Sequence, residues 1–319
     1  MRAAISHKFA REYGMGTQQW GENIFHPGTF TGNPSLSVTV SHYMISLRRR
    51  KARAGQPVTS AKSMDEDTMR KLWEFNMFYT DNRTEAVQPI SRKEKAETPT
   101  LWAGVNVRIM LQVLYITAML CLLRSDEVLR IRWSHVVFEP FNGSFRIKIT
   151  LPFRKTHQTG GIAPFYLYPN YTKPWMCPAR AWSHWWTYMQ VNGGFAGFVF
   201  RRRVGYDRLS EHSEDALSPE AVMESFRLNL LDILINPKPY GTHSFRRGGA
   251  QYLANTLRWP LTSICAWGGW TERYDNPGTI FKYLVSWTDT PTVAREDFFN
   301  PMRRGVDPCH MCGRMCHCA

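Results

Sequence analysis

Six side chains spread over half of the chain are of types that could do chemistry together. In GTHSFRRGGAQYL, residues 241–253, His243 and Arg246 stand three apart, so on a helix they share a face. Thr242 just before them is a candidate helix cap. Taken alone, H-x-x-R reads first as an ordinary polar helix start. Gly248 and Gly249, one turn on, lower helix propensity and would let the backbone approach a neighbour closely. In LLRSDEVLRIRW, Arg124 closes a strongly apolar run, where a charge is costly unless paired. Glu127, three residues on, could hold that guanidinium, either for structure alone or to aim a two-pronged donor at a phosphate. In LPFRKTHQTGG, Lys155 follows a strand in a turn-like sequence without apolar logic. It would serve solubility, or protonate a leaving oxygen. In CAWGGWTERYDNPGTIFKYLVSW, Tyr283 stands among Ile280, Phe281 and Leu284. It reads as a core aromatic or as a nucleophilic hydroxyl.

These residues need elements to hold them. Residues 1 to about 35 are rich in Gly, Pro and aromatics and show no clear period. The stretch LSVTVSHYMISLRRRKARAGQPVTSAKS predicts an amphipathic helix that turns basic at Arg48, Arg49, Arg50, Lys51 and Arg53. That cluster is either a solvated helix end or a set of phosphate contacts. Ser63 and Glu66 have capping-box spacing, which predicts a helix whose body is MRKLWEFNMFYT. Residues 81–100 read as a polar loop. A long buried helix is expected from about Trp102 to Leu123. Val136–Leu151, interrupted by Pro140, Asn142 and Gly143, predicts a hairpin. Helices are expected over 176–190, 218–235, 243–257 and 260–267, and near Thr279–Ser286. The fold class is therefore mainly α with a small antiparallel β-sheet.

The 319 residues carry 40 basic and 26 acidic side chains, a formal charge of +14, which favours a polyanionic partner, nucleic acid first. The longest apolar run, residues 109–123, is short for a bilayer span and contains Gln112, so no membrane association is expected. The N-terminus lacks the apolar core of a secretory signal. Of seven cysteines, Cys121, Cys177 and Cys265 are scattered, which is intracellular usage. The other four, Cys309, Cys312, Cys316 and Cys318, crowd the last eleven residues with His310 and His317. Their CxxC and CxC spacing could hold zinc, but no helix or strand is predicted there to fix it. No metal site is assigned.

The order Arg124, Lys155, His243-x-x-Arg246, Trp270, Tyr283 resembles the tyrosine recombinase family, the phage-type integrases and site-specific recombinases. The family pattern is an arginine in R-x-x-E, a hairpin lysine, H-x-x-R, a histidine or tryptophan, then a tyrosine. The resemblance covers roughly residues 60–290, and its texture is similar to the crypton-like mobile elements of eukaryotes. It departs at one point: in the family the tyrosine follows the tryptophan by nine residues, whereas Tyr283 follows Trp270 by thirteen. Tyr274 is the rival nucleophile. Tyr283 is preferred because GTIFKYLVSW supplies the helix that the family places around its tyrosine.

The resemblance implies cleavage and rejoining of double-stranded DNA through a 3′-phosphotyrosyl intermediate. Tyr283 would be the nucleophile, Arg124 and Arg246 the phosphate clamp and Lys155 the general acid. His243 would assist proton transfer, Trp270 would be a donor and buttress, and Glu127 a support. No cofactor is implied. The family also implies a tetramer on DNA, recombination or integration, and, for a eukaryotic chain, the nucleus. The domains expected are a partial helical DNA-binding segment with its linker over 1–57, a catalytic domain over 58–292 and a Cys-rich tail over 293–319. Arg48, Arg49, Arg50, Lys51 and Arg53 would contact DNA. Arg247, off the Arg246 face, is a further candidate for DNA contact or for solvent. The alternative is a DNA-binding protein that keeps the recombinase fold without catalysis.

Overall fold

The structure, a computed structural model, describes residues 2–54, 61–81, 102–152, 154, 162–270, 280, 283 and 284. The chain forms two compact units, Met1–Thr59 and Ser60–Ala319.

The first unit holds α1 (Arg2–Tyr13), a two-residue antiparallel pair of β1 (Gly21–Glu22) and β2 (Phe30–Thr31), and α2 (Val38–Arg53). No apolar period announced α1. What organises this stretch is polar: buried Asn33 donates to Gly16 O at 2.9 Å and to Ser6 Oγ at 3.2 Å. Its own Oδ1 accepts from Ser35 N at 3.0 Å and starts a short 3₁₀ turn. The expected basic helix is α2, and Arg49, Arg50, Lys51 and Arg53 are exposed on it. The side chain of Arg48 lies outside the described residues.

The second unit begins with α3 (Glu66–Asp81) and α4 (Val105–Leu120). Asp65, not Ser63, caps α3, its Oδ1 accepting from Thr68 N at 2.7 Å. Ser63 is buried instead, and Glu66 turns away to take Lys173 Nζ at 3.0 Å and Trp175 Nε1 at 3.1 Å. Helix α4 is apolar almost all round and buried along nearly its whole length, as a central helix must be. Its N-cap, Gly104, has no side chain to offer the first amides. Asp207 supplies the cap from a distant turn, accepting from Val107 N at 2.9 Å and Asn106 N at 3.2 Å. A Cβ on Gly104 would lie 2.2 Å from the Asp207 carboxyl carbon, so the missing side chain makes this cap possible.

A short helix, α5 (Ser125–Leu129), follows, then β3 (Val136–Phe141), β4 (Ser144–Ile149) and β5 (Phe165–Leu167). They form an antiparallel sheet in the order β3-β4-β5. The hairpin was expected; β5 was not, since three residues are too few to show alternation. Pro140 does not end β3 but pairs with Phe145, which an edge strand tolerates because the absent N–H faces no partner. The turn is Asn142–Gly143, both at positive φ, as a two-residue hairpin turn requires.

Helix α6 (Pro178–Asn192) brings Trp182 and Trp185 into the core, where their indole N–H groups donate to Thr117 Oγ1 and Val199 O. The β6 (Arg203–Val204) and β7 (Arg208–Leu209) pair carries Asp207 in its turn. Then come α7 (Pro219–Asp232), α8 (Ser244–Gln251) and α9 (Leu261–Gly268). The single helix expected over 243–257 is α8 plus one π-helical turn at Tyr252–Thr256, where Leu257 N reaches back five residues to Tyr252 O. The helix expected near Thr279–Ser286 falls mostly outside the described residues; Ile280, Tyr283 and Leu284 are helical. The fold is mainly α with a small antiparallel sheet. No helix among the described residues is long and apolar enough to cross a membrane.

Candidate active site

The site is built at the C-terminal end of α4. Two glycines bring α8 there. A Cβ on Gly249 would lie 2.0 Å from Met119 O of α4, and one on Gly248 would lie 1.9 Å from Met64 O, so only bare backbone fits on both sides. Met64 N donates to Ser244 O at 2.9 Å and closes the contact at the start of α8. Helix α9 is tied to the same end: Trp267 Nε1 donates to Leu120 O at 2.7 Å.

The start of α8 differs from the sequence reading. His243 is the N-cap and Thr242 is exposed without a capping role. Ser244 does the local work instead, its Oγ accepting from Gly241 N at 2.9 Å. Arg246, one turn in, points into the protein and is 1% exposed.

Its partner comes from α5. Arg124 is the N-cap of that helix, and Glu127 at its third position accepts from Arg124 N at 3.0 Å. The same carboxylate accepts from Arg124 Nη1 at 2.9 Å and from Arg246 Nη1 at 3.3 Å, a partner 119 residues away. Arg246 Nη2 also donates to Gly268 O at 3.2 Å, the C-terminal end of α9, where a cation suits the helix dipole. Helix α9 stops at Gly269, which is left-handed at φ 61°. The two closing bonds, Gly269 N to Ala266 O and Trp270 N to Cys265 O, set the Trp270 ring 4.8 Å from the Arg246 guanidinium carbon.

Tyr283 completes the cluster. Its ring stacks on Trp270 with centroids 5.0 Å apart, lies 5.4 Å from the Arg246 guanidinium carbon, and meets His243 edge-on at 6.4 Å. Gln251 Nε2 at the end of α8 holds this segment through Tyr283 O at 3.4 Å and Leu284 O at 3.2 Å. A small apolar cluster of Leu122, Ala250, Leu253, Ile264, Cys265, Trp270 and Ile280 lies beneath it.

Arg124, Glu127, His243, Arg246, Trp270 and Tyr283 therefore meet in one place. Lys155, the rival Tyr274 and the terminal cysteines and histidines lie outside the described residues. Arg247 is a correction: it is 4% exposed and donates to Ala61 O at 2.9 Å, so it faces neither solvent nor a DNA backbone. The close approach that Gly248 permits is what covers it.

One residue escaped the sequence reading. Arg154 is 2% exposed, and its Nε lies 3.6 Å from Glu127 Oε1, making it the third guanidinium around one carboxylate. The signal was the one applied to Arg124: a cation directly after an apolar stretch, here LPF.

Charge and burial set the protonation states. Burial pushes the His243 imidazole below its ordinary value, and Arg246 and Arg124 push it the same way, although the residue itself is exposed. Neutral His243 is an acceptor at neutral pH. Burial pushes Arg246 down to about 10, opposed by Tyr283, so it keeps its charge. A guanidinium pair on one buried carboxylate, with a neutral imidazole and a phenol beside it, can bind an oxyanion, accept a proton and deliver a nucleophile.

No family model matches this chain, and no curated protein matches it. Among solved structures, the chain is similar to the XerH site-specific recombinase bound to difH substrate in a pre-cleavage complex, at 14% identity and a TM-score of 0.44, over 71% of this chain and 51% of that one. It is also similar to the Tn1549 transposon integrase in complex with circular intermediate DNA, at 14% identity and a TM-score of 0.40, over 90% of this chain and 96% of that one. The chain spans about half the length of the XerH chain.

Proposed function

We propose that the second unit cleaves and rejoins DNA strands by covalent phosphoryl transfer. The observation that carries this reading is the Glu127-bridged pair of Arg124 and Arg246 with the Tyr283 ring against it. Tyr283 Oη attacks a phosphodiester phosphorus. The new O–P bond forms as the bond to the 5′-oxygen breaks, leaving a 3′-phosphotyrosyl link and a 5′-hydroxyl. Neutral His243 takes the tyrosine proton, and Lys155 gives one to the departing 5′-oxygen. Arg124 and Arg246 bind the non-bridging oxygens, each contributing roughly 3 kcal/mol by analogy with one oxyanion donor. The Trp270 indole N–H, buried with no hydrogen-bond partner among the described residues, is a further donor for that oxyanion. Rejoining reverses the steps with a 5′-hydroxyl as nucleophile, so the bond energy is conserved.

In this reading, residues 58–292 form the catalytic domain, residues 1–57 grip duplex DNA through the basic face of α2, and strand exchange takes place in a tetramer. The crypton-like texture of the sequence extends it to DNA integration by a mobile element in a nucleus. A library of duplexes nicked beside a randomised scissile position tests the chemistry. We expect a protein–DNA adduct that survives denaturing electrophoresis, disappears in Tyr283→Phe and persists in Tyr274→Phe. Failure of the wild-type chain to form an adduct leaves a DNA-binding protein without catalysis. Loss in Tyr274→Phe alone moves the nucleophile to Tyr274.

A further inference from the structure

Glu127 is one negative charge among three positive ones. Arg124, Arg154 and Arg246 contribute three charges and Glu127 removes one, so the three guanidiniums and the carboxylate they share carry a net charge of two. Two of these guanidiniums, those of Arg154 and Arg246, are 2% and 1% exposed, where water screens little. Their hydrogen bonding is incomplete: Nε and Nη2 of Arg154 and Nε of Arg246 are buried with no hydrogen-bond partner among the described residues. Buried polar groups are normally satisfied, and buried charge left over after pairing calls for an anion.

The fold makes room for Arg154. At Gly269, a Cβ would lie 2.6 Å from Arg154 Nη1. The left-handed glycine that ends α9 therefore also leaves room for this guanidinium. The ring of Phe165 on β5 lies 5.5 Å from its guanidinium carbon and backs it. Arg154 thus ties the sheet, α5 and the end of α9 to one carboxylate.

We propose that Arg154 is a charge-setting positioning residue that matches the site to a dianionic rather than a monoanionic phosphoryl group. A resting phosphodiester carries one negative charge. Attack by a phenolate turns that monoanion into a pentacoordinate dianion. The positive charge of Arg154, added to those of Arg124 and Arg246, attracts the dianion more strongly than the monoanion, which is the differential binding that accelerates a reaction. Arg154 acts through Glu127 and the local field, not by touching substrate. The assignment rests on the phosphoryl-transfer reading, which supplies the meaning of the dianion.

Two tetrahedral probes separate the charges: sulfate, a dianion, and dimethyl phosphate, a monoanion. Titration calorimetry at low ionic strength and pH 7.5 would be run on the wild-type chain, Arg154→Met and Arg154→Lys, with folding checked by circular dichroism. Coulomb energy scales with the charge product, so removing one positive charge costs the dianion twice the energy it costs the monoanion. We expect wild type to prefer sulfate. Arg154→Met should lose about threefold for dimethyl phosphate and about tenfold for sulfate, and Arg154→Lys should keep most of the preference. A folded Arg154→Met with an unchanged sulfate preference overturns the proposal. So does a wild-type chain without that preference, a measurement that needs no variant. An adduct in the nicked-duplex assay alongside either result leaves the catalytic reading standing while this one fails. No adduct, with an Arg154-dependent sulfate preference, does the reverse.

Discussion

At the scale of single residues, one carboxylate holds the site. Glu127 caps α5 through Arg124 N and binds the side chains of Arg124 and Arg246. Glu127→Gln keeps the shape and removes the only negative charge among the guanidiniums described here. Leaving buried charge uncompensated costs about 3–5 kcal/mol, so urea unfolding should show a loss in that range. A loss under about 1 kcal/mol would mean that water already reaches these arginines. His243 makes a prediction about pH. Its pKa lies below the ordinary 6.5 through burial and the charges of Arg246 and Arg124. The acid limb of adduct formation should therefore lie below pH 6.5, with the rate rising as the imidazole loses its proton. The stability contribution has the same sense: between the folded value and 6.5 the unfolded chain binds more protons, so stability is lost as pH falls through that window. His243→Gln should abolish the limb and slow the reaction about 10²–10⁴-fold in single-turnover measurements.

At the scale of elements, close approach of backbones places the groups of the site. Helix α8 meets Met64 O and Met119 O through Gly248 and Gly249, and neither carbonyl can swing aside as a side chain could. Gly248→Ala or Gly249→Ala should each destabilise by about 1–3 kcal/mol, read as a lowered Tm in calorimetry. Gly21, with open space around it, is the control. Helix α4 depends on a borrowed cap. Asp207→Ala should cost about 1 kcal/mol or more by exposing the amides of Asn106 and Val107. No spacing rule could have shown that cap, because it joins residues 100 apart.

At the scale of the whole molecule, a formal charge of +14 and the exposed basic face of α2 predict binding governed by counterion release. Affinity for a non-specific duplex should fall steeply between 50 and 200 mM salt on a log–log plot, at about 0.9 of a unit of slope for each phosphate contact. Replacing Arg49, Arg50, Lys51 and Arg53 by alanine should reduce that slope by up to about 3–4 units in fluorescence anisotropy. An unchanged slope would remove α2 from the interface. The same variant should leave unfolding of the second unit unaltered, since α2 belongs to the first unit.

By itself, the sequence determined the helix-rich class, the hairpin and the basic helix, and its resemblance to a known family picked out six residues that the structure brings together. Periodicity, caps and charge at the end of an apolar run are local signals, written in neighbouring residues. Tertiary structure alone decided what depends on residues far apart in the chain. It turned Arg247 inward to Ala61 O, because Gly248 lets the 61–64 segment press against α8. It added β5, too short to announce itself, to the edge of the hairpin. It also gathered Arg154 with Arg124 and Arg246 around Glu127. Charges sharing one buried carboxylate are coupled by distance in space, and a linear order of residues does not encode that distance.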